Sequence, residues 1–370
     1  MIDLQPGEPT PWFYAPTPSN PSFNFSSVAG RYIFLAFTPT DAAPRDGMFA
    51  VISRNMDLFN DHRIACFTIL RDQASFDRAK DRNGLRWFLD LDGKLSQLYG
   101  ALDEAGAERP LWVAIDPSLR VLFALPMDRT DEAFARLRAL PPPDDHAGVP
   151  LHAPVMITPR LFDPDLCRRL IAYYETHGGS PSGVMREKDG RTVGVLDDFK
   201  KRQDANIEDE ALQEETRLAI QHRLVPEVLK AFRFRATRVE RYIVARYDAE
   251  DGGYFRPHRD NRTAGTAHRQ FACSINLNAE DFEGGDLRFP EYGMRTYRPP
   301  TGGAVVFSCS LLHEATPVTR GTRFAFLPFL YDEAGNEIRK RNAHLITYTA
   351  APDQAATSDT PQAAESASGG

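Results

Sequence analysis

Cysteine is scarce in this chain: four in 370 residues, at Cys66, Cys167, Cys273 and Cys309, with no CxxC pair among them. That spacing excludes a disulfide-framed secreted domain and a dithiol motif, and it predicts reduced, mostly buried thiols in a cytoplasmic protein. No run of 18 apolar residues occurs, so no transmembrane helix is expected. Residues 1–10 lack the basic and apolar segments of a secretory signal. An excess of positive charge is missing too. The 44 Lys and Arg face 51 Asp and Glu, a net charge of −7, so neither nucleic acid nor a membrane is an expected partner. Internal repeats, a phosphate loop and the setting of a serine triad are also absent. What is present is 42% hydrophobic residues, enough for a real core, over a length that suits two domains.

Residues 1–145 alternate strand and helix signals. Segments 32–37 and 64–70 are short apolar runs, the pattern of buried strands. Between them Met48, Val51, Ile52, Met56 and Phe59 recur at helical spacing over 46–60. A strand–helix–strand order favours a parallel pair. Segments 111–115 and 121–125 flank the turn residues Asp116, Pro117 and Ser118 and predict a hairpin, and 131–140 reads as a closing helix. Pro141, Pro142 and Pro143 then stiffen the approach to a linker at 146–154.

In the second half, Asp163 and Pro164 open a helix that runs to His177 and stops at Gly178 and Gly179, with Leu166, Leu170, Ile171 and Tyr174 as its buried stripe. Residues 180–205 are polar, with a basic cluster at Lys200, Lys201 and Arg202; they read as a solvated loop, with a substrate lid as the alternative. Residues 208–233 look helical, interrupted at Pro226. From 239 onward the pattern turns to strands at 239–247, 271–277, 287–289, 304–307 and 324–330, punctuated by Gly and Pro. The first of these alternates imperfectly, which predicts a bulge or two-sided burial. So many short strands suggest a sandwich or an open barrel.

The chemistry gathers in two segments. His258 and Asp260 are two residues apart, and in a strand such residues point to the same side. His313 follows about fifty residues later, with Arg323 ten residues beyond it. Two histidines and one carboxylate from separate segments are the ligand set of a mononuclear non-haem iron(II) site. A lone His-x-Asp carries little weight. The order of strand, His-x-Asp, Gly-punctuated strands, distal His and Arg carries more. Neighbouring antiparallel strands would let His313 and Arg323 face one pocket, and a planar guanidinium there grips a carboxylate through two hydrogen bonds.

Most of the stretch 155–335, within a domain placed at 155–350, resembles the iron(II)/2-oxoglutarate dioxygenases of the prolyl 4-hydroxylase-like branch. The likeness rests on His258-x-Asp260, Leu277-Asn278, residues 282–287, Gly302-Gly303 with Phe307, His313, and Val318 with Gly321 and Arg323. It implies an α+β domain built on a double-stranded β-helix, or jelly roll. His258, Asp260 and His313 would bind Fe(II), and Arg323 would pair with the distal carboxylate of 2-oxoglutarate, assisted by Tyr247, with Tyr242 or Asn276 as alternatives. It implies hydroxylation of a C–H bond of an amino acid or a peptidyl (prolyl included) substrate by O2, with release of succinate and CO2, and it brings ascorbate as a further expectation. Related halogenases lack the carboxylate ligand, so Asp260 argues for hydroxylation. Arg259, Arg262 and Tyr254, beside the ligands, are the candidate substrate contacts, with Arg269 near by; solvated charges are the plainer reading of the arginines.

Residues 1–145 resemble the peroxiredoxin-like branch of the thioredoxin fold, an α/β domain. The matching pieces are 7–13, Phe37-Thr38-Pro39, 90–93 with 98–100, and 111–117. In that family Phe-x-Pro leads to a Thr and then the peroxidatic Cys; here those positions hold Ala43 and Asp46. A thiolate is the nucleophile that chemistry needs, so the domain is expected to be silent and to serve packing, dimerisation or partner contact. Two further readings compete with the hydroxylase: a thiol redox protein, and an oxygen- or iron-sensing scaffold without turnover. Residues 351–370, small and polar, predict a disordered tail.

Overall fold

The computed structural model describes residues 4–188 and 190–347; the tail at 351–370 lies outside them. In the first part, Tyr32–Phe37, Ile64–Leu70 and Leu85–Leu89 run parallel, and Leu111–Ile115 joins the other side of Tyr32–Phe37 antiparallel, followed by Val121–Pro126. The parallel pair and the hairpin both match the sequence pattern. Every residue of the two central strands is buried, because both faces of the sheet are covered. Strand alternation divides them: Ile33, Leu35 and Phe37 pack with Phe67 and Phe88, while Tyr32, Phe34 and Ala36 pack with Trp112 and Phe134. The expected helix at 46–60 begins earlier, at Ala42–Arg54, and gives way to a 3-10 turn at Met56–Leu58.

Asp46 is exposed on that helix, so no thiol occupies the position where peroxidatic chemistry would sit. Cys66 is fully buried in a central strand, and burial pushes its thiol up to about 12, far from a thiolate at neutral pH. Peroxide reduction by the full chain is therefore expected at buffer background and unchanged in Cys66→Ser, as measured by peroxide consumption with a dithiol reductant. A rate that disappears in the variant would contradict this.

The second part is built on two antiparallel sheets. The larger runs Arg238–Glu240, Phe329–Tyr331, Phe271–Asn276, Thr322–Phe326, Ile243–Asp248, Gln203–Asn206, Ser180–Pro181, with Ala304–Ser308 branching from Phe271–Asn276 and pairing Met156–Thr158. The smaller runs Lys200–Lys201, Tyr254–His258, His313–Ala315, Leu287–Arg288, Thr296–Tyr297. Strands distant in sequence become neighbours in both. The helix Pro164–His177 forms as expected, its Asp163 carboxylate accepting from Leu166 N at 2.9 Å. The helical stretch at 208–233 is continuous but widens into a π-turn at Ile220–Leu224 just before Pro226, which cannot donate to the preceding turn. The imperfect alternation at 239–247 is a strand break rather than a bulge: Arg241 takes a φ of +68° between Arg238–Glu240 and Ile243–Asp248. Residues 180–205 are not a solvated loop. They supply strands, including the hairpin Val184–Lys188 with Arg191–Val195, and they bury Lys200 and Arg202.

The two parts pack on each other beneath the smaller sheet. Leu312 belongs to the same apolar cluster as Ile33, Leu35 and Phe67. Gly30, at φ +89°, meets Pro290 so closely that a Cβ there would lie 2.6 Å from the proline Cβ.

Candidate metal centre

His258 ends its strand, His313 opens the next, and the two are partners in the register of the smaller sheet. Asp260 sits two residues past His258, its backbone N–H bonded to Cys309 O at 3.0 Å, so the turn carrying the carboxylate is tied to the segment leading to His313. The Asp260 carboxylate lies between the two rings: Oδ1 is 3.5 Å from His258 Nε2, and Oδ2 is 3.3 Å from His313 Nε2. Donor atoms of all three residues fall within 4.8 Å of one another. Each ring directs its other nitrogen at a backbone carbonyl, His258 Nδ1 at Arg256 O (2.7 Å) and His313 Nδ1 at Leu311 O (3.0 Å). Those bonds place the proton on Nδ1 and leave both Nε2 lone pairs facing the carboxylate. Burial, then the neighbouring His258, pushes the His313 imidazole down to about 4, so it is neutral at pH 7. Two imidazole lone pairs and an ionised carboxylate converging without a bonded proton between them suit one divalent metal ion, and N,N,O donors suit iron(II). Phe255 stacks on His258 with ring centroids 3.4 Å apart, and Phe307 packs on His313 at 4.5 Å.

Arg323 faces the same cavity from the larger sheet. It does not lie on a strand neighbouring His313, as the sequence suggested: Thr322–Phe326 is flanked by Phe271–Asn276 and Ile243–Asp248, and residues of both sheets line the cavity. Its side chain is 2% exposed, donating to Ser274 Oγ (2.7 Å) and Asn276 Oδ1 (3.4 Å) above the Tyr247 ring, 5.1 Å from the centroid. Among the described residues no carboxylate oxygen lies within 4.0 Å of it. A buried guanidinium with neutral partners is costly unless an anion arrives, and burial lowers its pKa. Tyr247 lines the cavity and accepts from Arg202 at 3.3 Å, leaving its own proton to donate. Asn276 instead holds the arginine, and Tyr242 packs toward Phe326 in the main core, away from the cavity.

Three candidate substrate contacts require correction. Arg259 points away from the cavity: its guanidinium forks onto Glu291 at 2.9 and 3.1 Å, bonds Ser310 O, reaches Ser26 O at 3.4 Å and lies 4.4 Å from the Trp12 ring. Arg262 lies over the same ring at 5.3 Å. Tyr254 donates to Asp198 O at 2.6 Å, off the cavity wall. Arg269 pairs with Glu240. Arg259 lies just past the strand end at His258, and its guanidinium is held on Glu291 and Ser310 O. The sequence reading missed Arg202 and Arg241, which both line the cavity. The signals were the basic cluster at 200–202 and the broken alternation at 241.

Arg259 gives the N-terminal part a role at this site. Glu291 binds Arg259, the spacer between two ligands, and accepts from the N–H of Leu312, the residue before the third, at 3.1 Å. Trp12 covers the arginine. Trp12→Ala is expected to cost about 1–2 kcal/mol through its two cation–π contacts, read as a lower Tm, with metal affinity falling several-fold in parallel. Unchanged metal affinity would confine Trp12 to packing.

Residues 242–331 match the family model described as 2OG-Fe(II) oxygenase superfamily. A PKHD-type hydroxylase of Acinetobacter baumannii is 30% identical over 180 residues, spanning 40% of this chain and 75% of that protein. The multifunctional procollagen lysine hydroxylase and glycosyltransferase LH3 of rat is 35% identical over 98 residues, which are 25% of this chain; the chain spans only 12% of that relative's length. Among solved structures, AhpC of Mycobacterium tuberculosis aligns with 37% of this chain and 93% of its own at 19% identity and a TM-score of 0.32.

Proposed function

The chain belongs to the PKHD-type hydroxylases of the 2OG-Fe(II) oxygenase superfamily and is a 2-oxoglutarate-dependent dioxygenase using iron(II), and we propose that His258, Asp260 and His313 hold the iron while Arg323 receives the distal carboxylate of 2-oxoglutarate. The observation that carries this reading is the buried Arg323 without a carboxylate partner, facing the same cavity as three converging metal donors. When bound, the iron and its co-substrate supply the O2 activation that hydroxylates a C–H bond, with succinate and CO2 as co-products.

The protein residues bind, orient and exclude water. The two Nε2 atoms and the Asp260 carboxylate would hold the iron beside the cavity from which co-substrate and O2 would enter. The backbone carbonyls of Arg256 and Leu311 hold both imidazoles in the metal-binding tautomer. Arg323 sets the orientation of the co-substrate through a two-point pairing, and Tyr247 adds a hydroxyl donor to the same carboxylate. Leu287, Phe307, Ala315 and Leu327 supply apolar walls that keep bulk water from the reacting centre. The opposed antiparallel sheets support a jelly-roll domain over 155–350, and the mixed sheet supports a peroxiredoxin-like domain over 1–145 joined by a linker at 146–154. Four free, buried cysteines support a reducing, cytoplasmic setting.

The test is an anaerobic titration of the protein with iron(II) and then 2-oxoglutarate, watching for the visible charge-transfer band of the chelate. A band that saturates at one equivalent is the expected result. Its absence would remove the reading.

A further inference from the structure

The cavity that holds the three metal donors carries more positive charge than an iron(II)/2-oxoglutarate site needs. Arg202 and Arg241 both line it, and Lys200 lies beside it, its Nζ 4.8 Å from the ring of Phe255, the residue stacked on His258. Two of these three cations share one carboxylate. Arg202 donates to Asp204 Oδ2 at 2.7 Å and Arg241 to the same oxygen at 3.3 Å. Lys200 donates to Ser182 Oγ (2.6 Å) and Gly183 O (3.0 Å), and among the described residues no carboxylate oxygen lies within 4.0 Å of it. Two guanidinium charges against the Asp204 carboxylate leave a surplus of one, with Lys200 beside them. Lys200 and Arg202 are both nine-tenths buried, so water does not neutralise it.

Other features agree with an unfilled anion position. Arg202 Nε is a buried donor without a partner. Arg241 holds a left-handed backbone conformation, which a non-glycine residue adopts only under constraint, as Leu119, Arg160 and Arg233 also do. Burial, with Arg202 next to it, pushes Arg241 down to about 10, and burial followed by Arg202 pushes Lys200 well below its ordinary value. A nearby group shows what compensation looks like: Arg269 and His268 close on Glu240, and Arg269 spans both carboxylate oxygens.

On the reading that Arg323 takes the co-substrate, the distal carboxylate of 2-oxoglutarate is committed there, and its 2-oxo oxygen and one C1-carboxylate oxygen would go to the metal. The one C1 oxygen that remains does not account for two guanidinium groups, Arg202 and Arg241. We propose that the hydroxylated substrate is a small organic acid whose carboxylate is received by Arg241 and Arg202 on the cavity wall beside the metal donors. A guanidinium presents two parallel N–H donors to a flat carboxylate, and the single bond from Arg241 to Asp204 leaves further donors to offer. Arg241 is the recognition residue, and Arg202, held by Asp204 and Tyr247, frames the position.

The test uses the full chain loaded with manganese(II) and saturating 2-oxoglutarate, which keeps the centre silent. Free amino acids and three- to six-carbon mono- and dicarboxylic acids are compared, by thermal shift and calorimetry, with their carboxamides and with small phosphate monoesters. At least one acid is expected to bind while its amide does not. Arg241→Gln is expected to weaken that acid at least ten-fold, whereas Arg320→Gln, which breaks only an exposed pair with Glu283, leaves it unchanged. With iron(II) and O2 the same acid accelerates 2-oxoglutarate consumption. The proposal is overturned if no acid binds, if acids and amides bind alike, if only phosphates bind, or if Arg241→Gln binds the acid as tightly as the parent. It is also overturned if Arg241→Gln instead weakens 2-oxoglutarate, which would assign that arginine to the co-substrate. Parent protein that fails to bind 2-oxoglutarate before any acid is added marks failure of the underlying reading, and both fall together.

Discussion

His313→Ala is expected to abolish 2-oxoglutarate turnover and to weaken iron(II) binding by at least about 100-fold, since losing groups that merely orient a metal ligand already costs 10–100-fold. The ring has no stand-in. Its aromatic neighbours are His258, already one of the three donors, and Phe307 and Phe289, which offer no lone pair. Asp260→Ala is expected to behave in the same way, because its carboxylate is the anionic donor between the two imidazoles. The measurement is metal content after equilibration with iron(II) under anaerobic conditions, together with succinate release. Turnover retained in either variant would refute the ligand assignment. The apo forms serve as the folding control, read by Tm, so that a lost site is separated from a lost fold.

Arg323→Met separates a functional arginine from a structural one by the sign of two effects. If the guanidinium exists to meet an incoming carboxylate, its removal leaves that carboxylate buried and unpaired, at about 2–5 kcal/mol. That is a rise in the 2-oxoglutarate Kd of roughly 30- to 5,000-fold. Without ligand the sign reverses. The parent buries a cation among neutral partners, so a methionine of similar length removes a desolvation penalty, offset in part by Ser274 and Asn276 losing their donor. The apo variant is expected to be no less stable than the parent. Ligand-induced stabilisation, about 2.7 kcal/mol at 100 times Kd in the parent, is expected to vanish. A structural arginine would give the opposite result: a lower apo Tm and an unchanged Kd.

The placement of Arg259 changes what the N-terminal part does. The sequence left packing, dimerisation and partner contact open for a domain without a nucleophile. Trp12, Ser26 O and the cluster around Leu312 show packing, directed at the backs of the segments that carry the metal donors. The N-terminal part therefore packs behind the candidate site, at Arg259 and Leu312.

Local chemistry was legible in the sequence. Apolar runs at 32–37 and 64–70 became fully buried central strands, because a segment apolar on both faces is stable only between two covered faces. His258, Asp260, His313 and Arg323 were visible because chelating residue types at strand spacing are a short-range pattern, and the structure brings all four to one cavity. What depends on long-range pairing was not legible. His313 and Arg323 lie only ten residues apart yet belong to different sheets, and only the partners at Tyr254–His258 and Ile243–Asp248 decide that. The polar run at 180–205 looked solvated because composition records polarity but not enclosure; it took the tertiary fold to bury Lys200 and Arg202 against the cavity, with a carboxylate only on Arg202. Residue type and local spacing determined which chemistry this protein carries, and the pairing of distant strands decided where each charge points, because burial and side-chain direction are properties of what lies opposite.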